Sequence, residues 1–149
     1  MRGTFRISRG ARTETPTIIA EVEEAGAIGR AECVPYPRYG ESIDSVSGEI
    51  ESLRREIENG IECQALQDAM PAGAARNAID CALWDLACKQ SGKRAWELAG
   101  IAAPVPVVSA MTLSLDTPEN MAEAARASAH LPLLKIKVTG EGDLERVKA

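Results

Sequence analysis

Lys135 and Lys137 are separated by one residue. Of the residue pairs in this chain, this one is best suited to chemistry. They lie in an apolar run, residues 133–138, that is typical of a β-strand, so both side chains are expected on the same face. Two ammonium groups about 7 Å apart on a buried face repel each other and lose hydration, and both effects lower a lysine pKa. A neutral amine accepts protons, which predicts a general base. The alternative is a solvated edge strand whose two lysines extend into water.

The other nucleophilic and metal-binding side chains favour structural roles. The chain has four cysteines, Cys33, Cys63, Cys81 and Cys88, with no CxxC pair, and one histidine, His130. A zinc site is therefore not expected, and serine-type catalysis lacks its usual base. Cys81 and Cys88 are seven residues apart in a helical pattern, so we expect them to be buried on one face. All four thiols are expected to be reduced.

Composition is that of a soluble globular protein. The 149 residues are 45% hydrophobic and 26% charged, and 17 basic against 22 acidic residues give a net charge of −5. Such an acidic balance argues against non-specific nucleic-acid binding. No apolar run approaches the roughly 18 residues of a membrane span, and residues 1–6 are not typical of a signal peptide. We therefore expect a cytoplasmic protein with no nucleic-acid or membrane partner.

Alternating apolar residues in the first part of the chain predict a small antiparallel sheet over residues 4–34. One strand contains Phe5 and Ile7, and two more flank a turn at residues 24–26. A polar stretch, residues 8–16, joins the first two strands. Its length and its two arginines indicate a loop that does more than turn the chain.

The rest of the chain predicts helices followed by alternating strands and helices. One helix has apolar residues at helical spacing over 46–57 and ends at Gly60. A longer, alanine-rich helix over 73–90 is expected to be largely buried, with Trp84 in the core. Two apolar strands, over 105–115 and 133–138, flank a helix that begins at Thr117-Pro118, and another helix begins at residue 143. This order predicts βαβ units with a parallel sheet.

Several segments resemble a known family. Residues 71–87 are similar to the signature helix of the mandelate racemase/muconate lactonizing enzyme group of the enolase superfamily. Within that group the chain looks most like the dipeptide epimerases that act on L-Ala-D/L-Glu. The narrower similarity depends on three further segments: residues 9–12, 32–42 and 134–137.

The resemblance implies an α+β capping domain over residues 1–100. It is followed, over residues 101–149, by the first βαβ units of a TIM-type (β/α) barrel that is incomplete in this chain. The loop containing Tyr36, Arg38 and Tyr39 would help to shape a lid over the substrate.

The resemblance also implies roles for individual residues. Lys137 would remove the proton α to a carboxylate, and Lys135 would lower the pKa of Lys137 and help to neutralise the carboxylate. Arg12 would pair with a substrate carboxylate, and Thr112 would contact the substrate from the floor of the pocket. From the residues alone, Arg12 as a solvated loop arginine and Thr112 as a buried strand hydroxyl remain equally open.

Parts of the family's machinery are not expected in this chain. A (β/α)₈ barrel takes about 250 residues, and the family's three acidic Mg²⁺ ligands and second lysine base lie on later strands. We expect Mg²⁺ only in the complete enzyme, with ligands outside these residues and a C-terminal barrel half as partner. The complete form is expected to be a homo-oligomer. The chain alone is expected neither to bind Mg²⁺ tightly nor to epimerise a dipeptide.

Two other interpretations remain. A different reaction on the same scaffold, such as cycloisomerisation or o-succinylbenzoate synthesis, would also use the lysine pair and the metal. A non-catalytic protein could instead use the capping domain for binding or assembly. Replacement of Lys137 distinguishes a catalytic from a non-catalytic role.

Overall fold

The computed structural model describes residues 4–8 and 10–149 and separates into two compact units. The central unit is Pro16–Pro104. The two-segment unit joins the described residues up to Thr15 with Val105–Ala149. The segment that precedes the central unit and the segment that follows it therefore fold together.

The sheet of the central unit is a hairpin of β3 (Ile18–Glu24) and β4 (Ala27–Cys33). The two strands pair antiparallel from Ile18↔Cys33 to Glu24↔Ala27. Both turn residues, Ala25 and Gly26, have positive φ angles of 50° and 79°. Such a two-residue turn matches the twist of the flanking strands, and it confirms the predicted hairpin.

The helices of the central unit follow the sheet. After a short 3₁₀ helix (Pro37–Tyr39) come α1 (Ile43–Ser52), α2 (Arg54–Glu58), α3 (Cys63–Ala69), α4 (Ala74–Ser91) and α5 (Ala95–Leu98). The single helix predicted over 46–57 is wrong in one respect, because it is broken between α1 and α2. At the break the Leu53 N–H bonds to the carbonyl of Ile50 at 3.1 Å, one residue closer than in an α-helix. Helix α3 was not predicted.

Helix α4 packs directly on β4. A Cβ placed on Gly29 of β4 would lie 2.1 Å from the carbonyl oxygen of Ala82, so only glycine permits this approach. The side of α4 that faces the core is built of small residues, and Ala75, Ala78 and Ala82 are fully buried. The small residues thus allow α4 to pack closely, whereas the predicted burial of Cys81 is wrong: it is exposed. Its position on α4 faces away from the sheet.

The two-segment unit begins with a second hairpin, β1 (Phe5–Ile7) and β2 (Gly10–Arg12). The expectation of one continuous sheet over residues 4–34 is wrong, because β1 pairs with β2 rather than with β3. Phe5 lies opposite Arg12. The polar stretch after β1 therefore folds back as a strand, since closing a short loop costs little entropy.

A βαβ unit completes the two-segment unit. It consists of β5 (Met111–Leu113), α6 (Pro118–Ala127) and β6 (Leu134–Ile136), followed by α7 (Asp143–Lys148). The strands pair in parallel, as predicted, but each has three residues, because the flanking apolar residues have no neighbouring strand in the described part of the chain. Among residues 4–8 and 10–149, no helix is long and apolar enough to cross a membrane.

Candidate active site

The lysine pair lies on β6 and directly after it. Lys135 is in the middle of the strand, and it is paired with Thr112 of β5 in the parallel register. Paired residues of neighbouring strands lie about 4.8 Å apart and point to the same face. Thr112 is half-buried and Lys135 is exposed. Two of the predicted site residues are therefore neighbours on one face of this sheet.

Lys137 follows the last residue of β6 and is half-buried. Both faces of the strand remain accessible, since Lys135 on one face is exposed and Ile136 on the other face is 40% exposed. The burial of both faces that the sequence pattern predicts for this strand is thus absent from the described chain. The reason is that β5 and β6 form a sheet of only two strands.

Arg12 reaches this part of the molecule through the β1–β2 hairpin. It ends β2 and is exposed. The hairpin is held at the carboxyl end of β5, where the Leu115 N–H donates to the carbonyl of Arg6 at 3.1 Å and the Ser114 hydroxyl donates to the carbonyl of Thr4 at 3.4 Å. Because β5 and β6 are parallel, Lys137 lies at the same carboxyl end of the sheet. In barrel enzymes the catalytic residues lie at this end of the strands.

An arginine that sequence reasoning missed connects the two strand ends. Arg146 of α7 donates from Nε to the carbonyl of Asp116, after β5, at 3.1 Å. It also donates from Nη1 to the carbonyl of Glu141, after β6, at 2.5 Å. The loop that follows Lys137 is therefore tied to the loop that follows Thr112. A basic residue in the first helix after a strand was the only sequence signal.

The same loop is organised by a carboxylate. Asp143 accepts hydrogen bonds from the backbone N–H groups of Thr139 at 2.9 Å and of Gly140 at 2.6 Å, and from Arg146 at 3.1 Å. The two backbone donors are the main reason that the pKa of Asp143 is lowered from its usual value. Asp143 is therefore held as a carboxylate that positions the backbone just beyond Lys137.

The tyrosine loop belongs to the central unit. The Tyr36 and Tyr39 rings are in contact, with centroids 5.7 Å apart, and Tyr39 is 76% exposed. Glu41 anchors the loop: one carboxylate oxygen accepts from Ala74 N, at the start of α4, at 2.7 Å, and the other accepts from Tyr36 N at 2.9 Å. Both hydrogen bonds lower the pKa of Glu41, and the bond from Ala74 N has the larger effect. The anchoring role of Glu41 was not predicted.

The described residues do not form a metal site. Among residues 4–8 and 10–149, no group of three or more His, Cys, Asp or Glu side chains is placed to hold a metal ion. The described residues therefore offer no cage for Mg²⁺. No step through a metal is derived from them.

An α+β module and a parallel βαβ unit are what the front of a capping domain with a (β/α) barrel would contain. The model of the "Mandelate racemase / muconate lactonizing enzyme, N-terminal domain" matches residues 1–100. The chain therefore belongs to the mandelate racemase/muconate lactonizing enzyme family.

Two curated relatives are similar over nearly the whole chain. An L-Ala-D/L-Glu epimerase of Escherichia coli (strain K12) is 44% identical over 147 residues, 97% of this chain and 46% of the relative. An N-acetyl-D-glutamate racemase of Pseudoalteromonas sp. is 39% identical over 134 residues, 89% of this chain and 42% of the relative. The chain thus spans about half the length of the curated relatives it matches.

Two solved structures superpose on the chain. An enolase family member from Agrobacterium tumefaciens with homology to dipeptide epimerases, with bound sodium and L-Ala-L-Glu, is 46% identical with a TM-score of 0.92. That match covers 99% of this chain and 45% of the other. A dipeptide epimerase from Cytophaga hutchinsonii, complexed with Mg and D-Ala-L-Val, is 28% identical with a TM-score of 0.82. It covers 99% of this chain and 44% of the other.

Proposed function

We propose that the complete protein is a dipeptide epimerase that acts on the α-carbon of an N-acylated glutamate, and that this chain supplies one of its bases. The observation that carries the proposal is the parallel pairing of Thr112 with Lys135, together with the position of Lys137 directly after β6, at the carboxyl end of the sheet. The relatives' names support the substrate class. The glutamate of an L-Ala-Glu dipeptide and that of N-acetylglutamate both carry an acyl group on nitrogen.

Lys137 is the proposed base. In its deprotonated form, Nζ accepts the α-proton, and the electron pair of the broken C–H bond moves into the adjacent carboxylate to give an enediolate. Return of a proton to the opposite face of the α-carbon inverts the centre, which requires a second acid outside this chain. Lys137 alone can therefore exchange the proton but not complete an inversion.

The other predicted residues hold the substrate. Lys135 lies one alternation from Lys137 and contributes a second positive charge beside the developing negative charge. Arg12, on the hairpin fixed at the carboxyl end of β5, has the planar fork that suits a carboxylate. The Thr112 hydroxyl, paired with Lys135, is placed to hydrogen-bond substrate from the sheet surface.

We further propose an arrangement for the complete protein, in which residues 1–100 are a capping domain and residues 101–149 begin the barrel. Mg²⁺ would stabilise the enediolate, and its ligands would lie outside these 149 residues. The complete form would be a cytoplasmic homo-oligomer. The structures with a bound dipeptide and a cation support the ligand classes only.

The test uses a chimera in which residues 1–149 replace the matched part of the Escherichia coli epimerase. In D₂O with Mg²⁺ and L-Ala-L-Glu, proton NMR follows loss of the glutamate α-proton signal. Lys137→Met is expected to slow exchange about 10²- to 10⁴-fold, the usual contribution of a general base. Lys93→Met, at an exposed lysine of the central unit, is the matched control and should leave exchange unchanged.

Two results would contradict the proposal. One is a Lys137→Met chimera that exchanges as fast as the parent, which would remove the assigned base. The other is a folded chimera that turns over muconate-type or succinylbenzoate-type substrates but neither L-Ala-L-Glu nor N-acetylglutamate, which would favour the cycloisomerase alternative.

A further inference from the structure

Lys137 lies just beyond β6, where the pairing of the two parallel strands has ended. The last pair in the register is Leu113↔Ile136, one residue before it. Two residues after it, the Thr139 N–H is bonded to a side chain rather than to a strand. The backbone of Lys137 therefore depends on two supports, the sheet before it and the loop after it.

The loop after β6 is held by an ion pair. The Asp143 carboxylate accepts from the Thr139 N–H at 2.9 Å and from the Gly140 N–H at 2.6 Å. The same carboxylate accepts from Nη1 of Arg146 at 3.1 Å. Nη1 also donates to the Thr139 hydroxyl at 3.3 Å and to the Glu141 carbonyl at 2.5 Å. The loop therefore forms one hydrogen-bonded network around two charged side chains.

This ion pair is more buried than the pairs described elsewhere in the chain. The Asp143 and Arg146 side chains are each 22% exposed. In the pairs made by Arg30, Arg54 and Lys89, at least one side chain is 50% exposed or more. A mostly buried ion pair adds little net stability, because the loss of hydration offsets the attraction. Its position after the base indicates a role in fixing the geometry of the loop instead.

Arg146 also reaches the segment that follows β5, the strand of Thr112. Its Nε donates at 3.1 Å to the carbonyl of Asp116, which lies three residues after the end of that strand. The Asp116 carboxylate in turn accepts from Thr117 N at 2.8 Å and from Nδ2 of Asn120 at 3.1 Å, at the start of α6. One guanidinium, whose donors have fixed directions, therefore spans both segments that leave the carboxyl end of the sheet.

We propose that Arg146 and Asp143 are positioning residues for proton transfer at Lys137. Arg146 fixes the loop after β6 against the segment after β5, and Asp143 fixes the backbone two residues beyond the base. The role rests on the proposed epimerase activity, and neither side chain is assigned a contact with substrate. Displacement of a reacting group by about 1 Å can cost about 10²-fold in rate. The effect is therefore expected in proton removal rather than in substrate binding.

The two faces of the α-carbon give this role a selective signature. In the proposed reaction Lys137 serves one face, and a second group outside this chain serves the other. Loss of the Asp143–Arg146 pair should therefore slow proton removal from the epimer that Lys137 deprotonates and spare the other epimer. General damage to the fold would slow both.

The test uses the chimera with the Escherichia coli epimerase, with L-Ala-L-Glu and L-Ala-D-Glu in D₂O containing Mg²⁺. Proton NMR gives kcat and KM for loss of the glutamate α-proton signal of each epimer. The epimer that Lys137→Met slows more identifies the face that Lys137 serves. For that epimer, Arg146→Met is expected to lower kcat about 10- to 100-fold and to change KM less than about twofold. The kcat of the other epimer should stay within about threefold of the parent value.

Two further variants separate the geometry of Arg146 from its charge. Arg146→Lys keeps the charge but has one nitrogen where the guanidinium uses two. It cannot bond to the carbonyls of Asp116 and Glu141 as arginine does, so it should recover only part of kcat. Lys148→Met removes a charge from an exposed position of the same helix and should leave the exchange of both epimers unchanged.

Hydrogen exchange in the 149-residue chain tests the network without substrate. Asp143→Asn leaves one acceptor oxygen in place of two, and Arg146→Met removes a donor to that carboxylate. Both variants are expected to speed exchange at the Thr139 and Gly140 amides at least about threefold. The amide of Ala82, in the buried part of α4, is the control and should not change.

The outcomes separate this role from the proposed function. If Lys137→Met slows one epimer while Arg146→Met slows both equally or neither, the positioning role is overturned and the base stays assigned. If the parent chimera exchanges neither epimer, or Lys137→Met slows neither, the proposed function fails and the role fails with it. Unchanged exchange at both loop amides in both variants overturns the network itself. If Arg146→Met does not fold, Asp143→Asn decides by the same comparison of epimers.

Discussion

The central unit buries a core, whereas the two-segment unit carries its candidate chemistry on a thin, accessible sheet. Val46, Leu66 and Ala82 in the central unit are fully buried. In the two-segment unit Lys135 is exposed and Ile136 is 40% exposed. The largest fully buried side chains and the proposed chemistry therefore lie in different parts of the chain, and substitutions should separate them.

The two units also support their sheets in different ways. The β3–β4 hairpin has α4 against one face and against one edge. At the β5–β6 pair, Arg146 joins the segments after the two strands through hydrogen bonds between loops. We expect global unfolding to report on the packing of α4 against the β3–β4 hairpin. Local hydrogen exchange should report on the loop hydrogen bonds beside β5 and β6.

Leu66→Ala should have the largest effect on stability. The Leu66 side chain is fully buried in the core of the central unit, so truncation leaves a cavity and should cost about 3–4 kcal/mol of unfolding free energy. Leu144→Ala is the matched control in the two-segment unit, where the side chain is 60% exposed, and should cost less than about 0.5 kcal/mol. Urea denaturation of both variants measures the difference, and equal costs would contradict the contrast between the two units.

Gly29→Ala should have a smaller but clear effect. The new methyl would meet the Ala82 carbonyl oxygen at 2.1 Å, a backbone atom that cannot turn aside. Separation of α4 from β4 should cost about 2–3 kcal/mol of unfolding free energy, again measured by urea denaturation.

The control for this substitution is Gly48→Ala. Gly48 lies within α1, and a Cβ at this position would have nothing within 4 Å of it. Alanine there should stabilise the chain by about 0.5–1 kcal/mol, because glycine is a poor helix residue. A neutral Gly29→Ala would show that α4 does not pack closely on β4 at this position.

Glu41→Gln should have the smallest effect, and its effect should depend on pH. Glutamine has one acceptor oxygen in place of two, so the bond to Ala74 N or to Tyr36 N is lost, at about 1 kcal/mol of unfolding free energy near pH 7. The folded-state pKa of Glu41 is lowered. Its contribution is therefore complete above the unfolded value of about 4.3 and is lost as the pH falls through the folded value.

The measurement is the difference in unfolding free energy between the unsubstituted chain and Glu41→Gln at pH 7, 4 and 3. The difference should shrink as the pH falls. A difference that stays constant or grows toward pH 3 would show that the Glu41 carboxylate does not anchor the tyrosine loop.

Local sequence signals were enough to predict several helices and strands. The Thr117-Pro118 start of α6 is confirmed, with the Thr117 hydroxyl accepting from Asn120 N at 3.3 Å. Helix α4 and the β3–β4 hairpin are confirmed for the same reason, since capping, periodicity and turn chemistry act within a few residues. The roles of Arg12, Thr112, Lys135 and Lys137 stay predictions.

The wrong predictions concern contacts between distant segments. Cys81 is exposed because its position on α4 faces away from the sheet, which the helical spacing alone did not reveal. The pairing of β1 with β2 depends on a competition between two possible partners for one strand. Alternation of apolar residues identifies a strand but not its neighbour.

Most elements, the spacing of the two lysines and the resemblance to a family of enzymes followed from the amino-acid sequence, because they depend on neighbouring residues and on motifs. The folded chain was needed to show that Thr112 pairs with Lys135, that Arg146 joins the two strand ends, and that side chains of α4 bond to the outer edge of β4. Each of these depends on residues far apart in the chain, and a hydrogen bond between them forms only once packing has brought both partners together.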